Sequence, residues 1–299
     1  MKDDRITNDG SFSVMNFPLF NSFTFVKGIG EKIETTLKGL GIKSWHDVMK
    51  NQCPELFPER RWHNLLKGVS SALQALKVLD VSRLSSLIPK RQQWKMIPNF
   101  IDRIAYLDIE TTGLRPQYNH ITTIAVYDGT RVHDFVRGDN LNDFPAFISK
   151  FPAITTFYGK AFDIPFIKKE MGIKFDQLHF DVCFLLKRLK IKGGLKRIEK
   201  RFGISRGDLD DLDGYSAVLL WKKFKKTKKK EYLATLLAYN NEDVINLEYL
   251  LYKAYNLLIE KELTFTPALE FPKKEIKNPF QANKRVVDEI LGRKINLYS

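Results

Sequence analysis

The sequence predicts an α/β fold, in which a mixed β-sheet flanked by helices follows a smaller all-helical N-terminal domain. Three observations lead to this fold class. Apolar residues recur at helical spacing between Phe20 and Pro98. From about residue 99 to Asp181, strand-like apolar runs surround a helical stretch, and beyond Asp181 the spacing is helical. Pro89 and Pro98 interrupt the periodicity, so the junction between the two regions falls there.

The N-terminal domain, predicted over residues 1–98, contains the motif FTFVKGIGEKIETTLKGLGIKSW. Gly28 and Gly30 predict a turn, and the apolar spacing after them predicts a helix that ends at Gly41. The motif resembles a helix-hairpin-helix element, whose turn presents backbone N–H groups at the start of the second helix. Such a helix start attracts phosphate, and Lys27 and Lys32 add positive charge beside it. The alternatives are a hairpin that only packs on its own domain or one that contacts a protein.

The sheet domain is predicted over residues 99–262. FIDRIAYLDIE predicts its first strand, and ITTIAVYDGTRVHDFVR predicts two more strands that turn at Asp128 and Gly129. AITTFYG predicts a fourth strand, and AFDIPFIKKEM begins a helix. Helical segments follow, the last being the long run EYLATLLAYNNEDVINLEYLLYKAYNLLIEK. Residues 263–299 are predicted to be a C-terminal extension with one short helix.

Two acids lie in the first predicted strand, where a buried strand normally carries apolar residues. Asp108 and Glu110 are two positions apart, so both side chains point to the same face of the strand. Each carboxylate then raises the cost of ionising the other. A cation is therefore expected beside them.

Three further residues of the sheet domain complete a recognisable order. Asp163 lies at a strand-to-helix turn, in FYGKAFDIPFI. Tyr239 and Asp243 are four residues apart in YNNEDV, so they share one face of the last long helix. With the acids of the first strand, the order is D-x-E, then D, then Y-x-x-x-D.

This order resembles the DEDDy branch of the DEDD exonucleases, which have a ribonuclease-H-like fold. The histidine branch would have a histidine at the position of Ala238. Within the superfamily, the sequence resembles the YprB-like ribonuclease-H-like family through DIETTGL, YGKAFDIPFI, FDVCFLLKRL, GGLKRIEKRFGISR and YNNEDV. The resemblance covers about residues 100–258. It implies a 3′→5′ exonuclease that hydrolyses phosphodiester bonds.

The resemblance also implies a role for each site residue. Asp108 would bridge two divalent cations, Mg²⁺ or Mn²⁺, which prefer oxygen ligands. Glu110 and Asp243 would complete the site of the ion that activates the attacking water, and Asp163 would bind the second ion through water. Two such ions activate the nucleophile and neutralise the leaving oxygen. Tyr239 would hydrogen-bond the attacking water and align it, although core packing alone also explains a tyrosine on this helix.

Further residues are expected around this centre. By resemblance, Thr112 and Leu114 would contact the sugar or base of the terminal nucleotide. The basic stretch from Leu186 to Arg206 is a candidate path for the phosphates. Asp181 is either an acid behind the site or the cap of the helix that follows it.

The net charge of +14, from 49 Lys and Arg against 35 Asp and Glu, favours a polyanionic partner. Nucleic acid, at its 3′ end, is the first expectation, and an anionic membrane surface the second. Neither the longest apolar runs nor the polar start MKDDRITNDG is typical of a membrane span or a signal peptide. Cys53 and Cys183 alone form neither a disulfide framework nor a zinc site. We therefore expect a cytoplasmic protein without a membrane partner.

Two alternatives to the exonuclease remain open from the sequence. One is a non-catalytic nucleic-acid-binding protein of the same fold, and the other is a structure-specific endonuclease with the same chemistry. The residues do not choose between DNA and RNA, nor between single and double strands.

Overall fold

The computed structural model describes residues 17–262, 268–274 and 276–293, so the polar start of the chain lies outside the described residues. Two compact units are present. One contains residues 17–99, 258–262 and 268–269, and the other contains residues 100–257, 270–274 and 276–293. None of the described helices is long and apolar enough to cross a lipid bilayer.

The N-terminal unit is helical, as predicted. Its elements in chain order are α1 (Glu31–Gly39), α2 (Trp45–Lys50), α3 (Glu59–Lys77), α4 (Val81–Leu87), a 3-10 helix (Lys90–Met96) and α5 (Ile97–Phe100), which leads out of the unit. Ser44 begins α2 because its side chain accepts the N–H of Asp47, whose carboxylate accepts the N–H of Ser44. Leu65 and Val69 of α3 are fully buried in the core of this unit.

The segment before α1 consists of turns between residues 17 and 29, so no regular helix precedes the glycine motif among the described residues. Gly28 has φ +88°, a conformation that glycine adopts without strain. Gly30 caps the start of α1. The motif lies directly on α3, since a side-chain Cβ at Gly68 would come within 2.7 Å of Val26.

The second unit is built on a five-stranded sheet. Its strands are β1 (Ile104–Thr111), β2 (Ile121–Tyr127), β3 (Val132–Val136), β4 (Ala153–Thr156) and β5 (Leu178–Asp181), in the spatial order β3-β2-β1-β4-β5. The pairs β1–β2 and β2–β3 are antiparallel, and β1–β4 and β4–β5 are parallel. The sheet is therefore mixed, with β1 at its centre, and the predicted fold class is confirmed.

Helices flank this sheet. They are α6 (Phe144–Ile148), α7 (Asp163–Met171), α8 (Val182–Arg188), α9 (Leu195–Arg201), α10 (Gly214–Thr227), α11 (Lys230–Glu262) and α12 (Lys284–Ile290), with 3-10 turns at Ile101–Arg103, Leu141–Asp143 and Gly207–Leu209. The sequence analysis gave no residue bounds for α6 or β5. Pro145 stands in the five-residue α6, and the polar His179 and Asp181 leave only two apolar residues in the four-residue β5.

The alternation of β1 explains where the acids lie. Leu107 and Ile109 are buried in an apolar cluster with residues of α6 and α7. Asp108 and Glu110 alternate with them and point to the other face of the sheet. The central strand therefore carries one apolar face and one acidic face.

Residues 270–274 and 276–293 of the predicted C-terminal extension pack on α10 and α11. The ring of Phe271 contacts Tyr249 and Tyr252, with both centroid distances 5.3 Å. Farther along, Val286 and Val287 of α12 are buried in the apolar cluster that α10 and α11 form. This part of the extension thus contributes to the core beside the acidic face.

Candidate functional site

Three acids predicted from the sequence meet at the acidic face of β1. Asp108, Glu110 and Asp243 each offer a carboxylate oxygen, and these oxygens all lie within 4.8 Å of one another. Glu110 and Asp243 are buried, at 8% and 6% exposure. Closely spaced carboxylate oxygens are the ligands of hard divalent cations.

The electrostatics of these three acids favour a positively charged partner. Burial, and then the charges of Asp243 and Asp163, raise the pKa values of Asp108 and Glu110 well above their usual range. Arg206 opposes this increase but does not cancel it. Ionisation of both carboxyl groups therefore becomes favourable when a cation enters, and the residues fit a divalent metal ion.

Asp163 lies at the start of α7 and lines the same pocket, but it does not belong to the group of three oxygens. Its Oδ1 accepts the backbone N–H of Ile109 at 3.2 Å. Burial raises its pKa to about 7. Asp163 is thus turned partly towards the backbone of β1, with one carboxylate oxygen engaged there.

Asp108 is held by an amide that the sequence analysis did not single out. Asn240 Nδ2 donates to Asp108 Oδ2 at 2.8 Å, and Asn240 Oδ1 accepts the hydroxyl of Thr123 at 3.0 Å. Asn240 and Thr123 are fully buried. The chain Thr123–Asn240–Asp108 fixes the orientation of the carboxylate on the central strand.

Asp243 is held by a buried arginine. Arg206 Nη2 donates to Asp243 Oδ1 at 2.6 Å, and the same guanidinium binds both carboxylate oxygens of Glu199, at 2.8 and 2.5 Å. These contacts change the interpretation of the basic stretch from Leu186 to Arg206. Arg206, the last residue of that stretch, is buried in an ion-pair network. The prediction that the stretch contacts the phosphates of a substrate is therefore wrong for Arg206.

Tyr239 lines the pocket one helical turn before Asp243. Lys196 Nζ lies 5.0 Å from the centroid of its ring, and the lysine also donates to the backbone carbonyls of Leu209 and Asp210. Burial, followed by the charge of Asp243, raises the pKa of Tyr239 above its ordinary value. The phenol therefore keeps its proton at physiological pH and is able to donate and to accept a hydrogen bond.

The pocket over the acids has a volume of about 570 Å³. Thr112 and Leu114 line it, and Leu114 is 82% exposed. Thr112 also has a structural role, because its hydroxyl accepts the backbone N–H of His120 at 3.0 Å. Tyr158 and Tyr215 complete the rim, with 46% and 66% of their surfaces exposed.

Asp181 caps α8, one of the two roles that the sequence left open for it. Its Oδ1 accepts the N–H of Phe184 at 3.4 Å. The same carboxylate accepts the N–H of Tyr158 and the N–H of Lys160, both at 3.0 Å. Asp181 therefore fastens the turn before α7 to the start of α8.

The N-terminal unit contains a basic groove of its own, with a volume of about 990 Å³. Lys27 and Gly28 of the glycine motif line it. The other cations on its walls come from α3 and α4, and they are Arg60, Arg61, Lys67 and Arg83. Among the described residues, no acid lines the groove. Gly30 and Lys32, also predicted to bind substrate, do not line it.

Asn240, Arg206, Lys196 and Tyr158 belong to the site but were not singled out from the sequence. Asn240 follows Tyr239 directly, and polar neighbours of a motif residue are common on any helix surface. Arg206 is 37 residues from Asp243, so no spacing rule connects the two. Only the folded chain brings these groups together.

Comparison with known proteins assigns the fold. The RNase_H superfamily matches residues 105–255. Among solved structures, the family B DNA polymerase from the hyperthermophilic archaeon Pyrobaculum calidifontis matches with 17% identity and a TM-score of 0.39, over 54% of this chain and 24% of the polymerase. Brucella melitensis NrnC bound to pGG matches with 18% identity and a TM-score of 0.39, over 56% of this chain and 78% of NrnC. No curated protein matches the chain in sequence.

Proposed function

The chain belongs to the RNase_H superfamily, and from that premise we propose that it is a metal-dependent 3′→5′ exonuclease of the DEDDy type. The observation that carries the proposal is the group of oxygens from Asp108, Glu110 and Asp243, within 4.8 Å of one another in a pocket that Tyr239 also lines. A buried acidic group of this kind is costly without a cation. A catalytic role for the bound cation explains why the three acids are buried together.

Asp108, Glu110 and Asp243 would hold the metal centre, with Asp163 as the fourth ligand. Mg²⁺ or Mn²⁺ bound there supplies an activated water and neutralises charge on the leaving oxygen, as a pair of ions does in two-metal hydrolysis. Asn240 and Arg206 keep the carboxylates of Asp108 and Asp243 in fixed orientations. The protein's contribution is therefore a preorganised set of oxygens on rigid elements.

Tyr239 positions the attacking water. Its pKa is raised, so the phenol keeps its proton and does not act as a base. A neutral phenol both donates and accepts a hydrogen bond, which is enough to align a water with the phosphorus atom. Replacing Tyr239 with phenylalanine would remove this alignment while keeping an aromatic ring in the apolar cluster that α11 shares with α10.

The pocket accepts the end of a strand in this proposal. A volume of about 570 Å³ is in the range of pockets for small ligands, and Thr112 and Leu114 line it where the terminal sugar and base would lie. The 3′→5′ polarity comes from the resemblance of the motifs.

The N-terminal unit increases the grip on longer substrates. The groove beside Lys27 and Gly28 carries cations from two helices and no acid on its described walls, a composition that favours a phosphate backbone. Gly30 and Lys32, at the start of α1, add backbone donors and charge nearby. The described residues contain no helix before the glycine motif, so the proposal keeps only the glycine turn and the following helix α1 of the helix-hairpin-helix resemblance.

The proposal is tested by titrating Mg²⁺ or Mn²⁺ into the protein with DNA and RNA strands that carry a label at the 5′ or the 3′ end. We expect cleavage that requires the cation and releases mononucleotides from the 3′ end. Asp243→Asn should lose at least about 100-fold in rate. Glu242→Gln is the matched control, because Glu242 is the adjacent acid and accepts a hydrogen bond from Asn278 instead of joining the acidic group.

Other outcomes separate the alternatives. Cuts inside a circular strand would indicate an endonuclease with the same metal centre. Tight binding of nucleic acid without cleavage, at any cation concentration, would indicate a non-catalytic binding protein. Cleavage that continues in a chelator would contradict the assignment of the acids.

A further inference from the structure

A pair of exposed aromatic rings stands beside the acidic pocket. Tyr158 is on its rim, and Phe184 lies behind it on α8. The two ring planes are 21° from parallel with centroids 6.1 Å apart, and the side chains are 46% and 40% exposed. Lys187 places its ammonium 4.9 Å from both centroids.

Tyr158 occupies a backbone conformation that normally belongs to glycine. Its φ is +66°, in the left-handed region, where a bulky side chain is uncommon. An exposed side chain at such a position contributes little to the core. An outlier of this kind next to a pocket suggests that the side chain itself has a function.

A buried carboxylate holds the two rings in place. Asp181 accepts the N–H groups of Tyr158 and Lys160, and it also accepts the N–H of Phe184 at the start of α8. One residue therefore fixes both the turn that carries Tyr158 and the helix that carries Phe184 and Lys187. The aromatic pair is built into the fold and is ready before any substrate arrives.

We propose that Tyr158 and Phe184 form a stacking platform for unpaired bases of the substrate strand, with Lys187 beside it for a phosphate. This inference rests on the proposed function, because it names how that same site receives its strand. Rings stack on bases of any sequence, and a cation on the same patch complements the phosphate that follows each base. A paired base offers no free face to such a platform, so the site should favour single-stranded ends.

The test is a double-mutant cycle in binding affinity, in which one change removes the ring of Tyr158 and the other removes one base of the strand. Strands of about 12 nucleotides, of DNA and of RNA, are labelled at the 5′ end, and one abasic nucleotide is moved stepwise from the second to later positions counted from the 3′ end. Affinities are measured in the catalytically inactive Asp108→Asn background. A second protein carries Tyr158→Leu in addition, and Tyr158→Phe is the matched control that keeps the ring.

We expect one abasic position to weaken binding about 10-fold when Tyr158 is present. Tyr158→Leu should weaken binding of the intact strand by a similar factor. In this variant, an abasic nucleotide at that position should cause no further loss of affinity. Tyr158→Phe should bind like the parent, and Phe184→Leu should show the same coupling at the same or the adjacent nucleotide. Thermal unfolding of each variant checks that the fold is intact.

The idea is overturned if the losses from Tyr158→Leu and from the abasic nucleotide simply multiply at every position, on both polymers. It is also overturned if Tyr158→Leu binds the intact strand like the parent. Neither result touches the nuclease assignment, which is decided by cleavage in the wild-type protein. Conversely, coupling in the binding cycle without any cleavage would retain the platform and contradict the enzyme.

Discussion

Arg206 and Asp243 form a buried ion pair at 2.6 Å, and Asp243 is also one of the three acids that would bind metal. The arginine uses Asp243 Oδ1 and leaves the other oxygen of that carboxylate without this contact. Burial lowers the pKa of Arg206, but Asp243 and Glu199 outweigh this effect and raise it above the usual value. The guanidinium therefore stays charged at any physiological pH. It holds the Asp243 carboxylate in a fixed orientation.

Replacing Arg206 with methionine should damage both stability and activity. Two buried carboxylates, on Glu199 and Asp243, would lose their partner, and breaking a buried pair in this way costs about 3–5 kcal/mol. We expect a correspondingly lower midpoint in denaturant unfolding and a loss of cleavage. The double variant Arg206→Met with Glu199→Gln should recover part of the stability, because only one carboxylate is then left unpaired. No recovery at all would mean that the arginine acts mainly through packing.

Neutralising an acid of the metal site should have opposite effects on stability and activity. Burial and the neighbouring acids raise the pKa of Asp108, so the charged group destabilises the metal-free fold. Asp108→Asn keeps an oxygen that can accept from Asn240. We expect its melting temperature in a chelator to rise by roughly 2–4 °C, the shift that about 1 kcal/mol gives in a domain of about 150–250 residues, while cleavage is lost.

The same pair of proteins gives a signal of metal binding that does not depend on cleavage. Mg²⁺ should raise the melting temperature of the wild type, since a ligand of the folded state stabilises it. The increase should be much smaller in Asp108→Asn. Equal increases in both proteins would show that the cation binds elsewhere.

The sequence predicted the parts of this site that follow from local pattern. Asp108 and Glu110 were placed on one face because strand periodicity is fixed at two, and Tyr239 and Asp243 because helical neighbours are four apart. Asn240, Arg206 and Lys196 followed no such rule. They act across distant segments, and a local pattern carries no information about which segments will meet. The acidic motif was predictable, and the residues that orient it were not.

The left-handed turn at Tyr158 escaped prediction for a different reason. Sequence rules place glycine or asparagine at a positive φ, so a tyrosine in YGKAFD gives no signal. Its conformation is maintained by hydrogen bonds to Asp181, which is 23 residues farther along the chain. The short elements α6 and β5 received no bounds because Pro145 in α6 and the polar residues of β5 leave no clear apolar pattern.

Reversing charges in the basic groove should weaken long strands and leave short ones unaffected. We expect Arg61→Glu with Lys67→Glu to lower the affinity for a strand of about 30 nucleotides by about 10-fold or more at low salt. The salt dependence of binding should become shallower by about 0.7 for each phosphate that the groove no longer neutralises. Hydrolysis of a dinucleotide at the acidic pocket should not change.

The matched control removes the same charge from another basic surface. Lys226→Glu with Lys228→Glu alters two exposed lysines at the C-terminal end of α10, and neither lysine lines either pocket. The double variant of Lys226 and Lys228 should keep most of the affinity for the long strand. Equal losses in both variants would indicate that overall charge attracts the strand and that the groove is not a specific surface.

Acid should loosen the turn next to the pocket through His179. Its Nε2 lies 2.8 Å from the hydroxyl of Thr156, which accepts the N–H of Gly159 in the turn before α7. Burial, aided by the charges of Lys160 and Lys168, lowers the pKa of His179 to about 3. The unfolded chain, with an ordinary histidine pKa near 6.5, therefore binds a proton that the folded chain does not, between about pH 3 and 6.5. Stability is complete above that window and falls as the pH decreases through it, by up to about 1.4 kcal/mol per pH unit.

His179→Gln keeps a hydrogen-bonding group beside Thr156 and removes the titration. We expect the unfolding free energy of the wild type to fall more steeply between about pH 6.5 and 4.5 than that of the variant, with the difference approaching one proton in slope. His120→Gln, which alters an exposed histidine of the same unit, should follow the wild type. If the wild type and His179→Gln have parallel pH profiles, the proton is taken up without opening this turn, and His179 is not the group that makes the fold acid-sensitive.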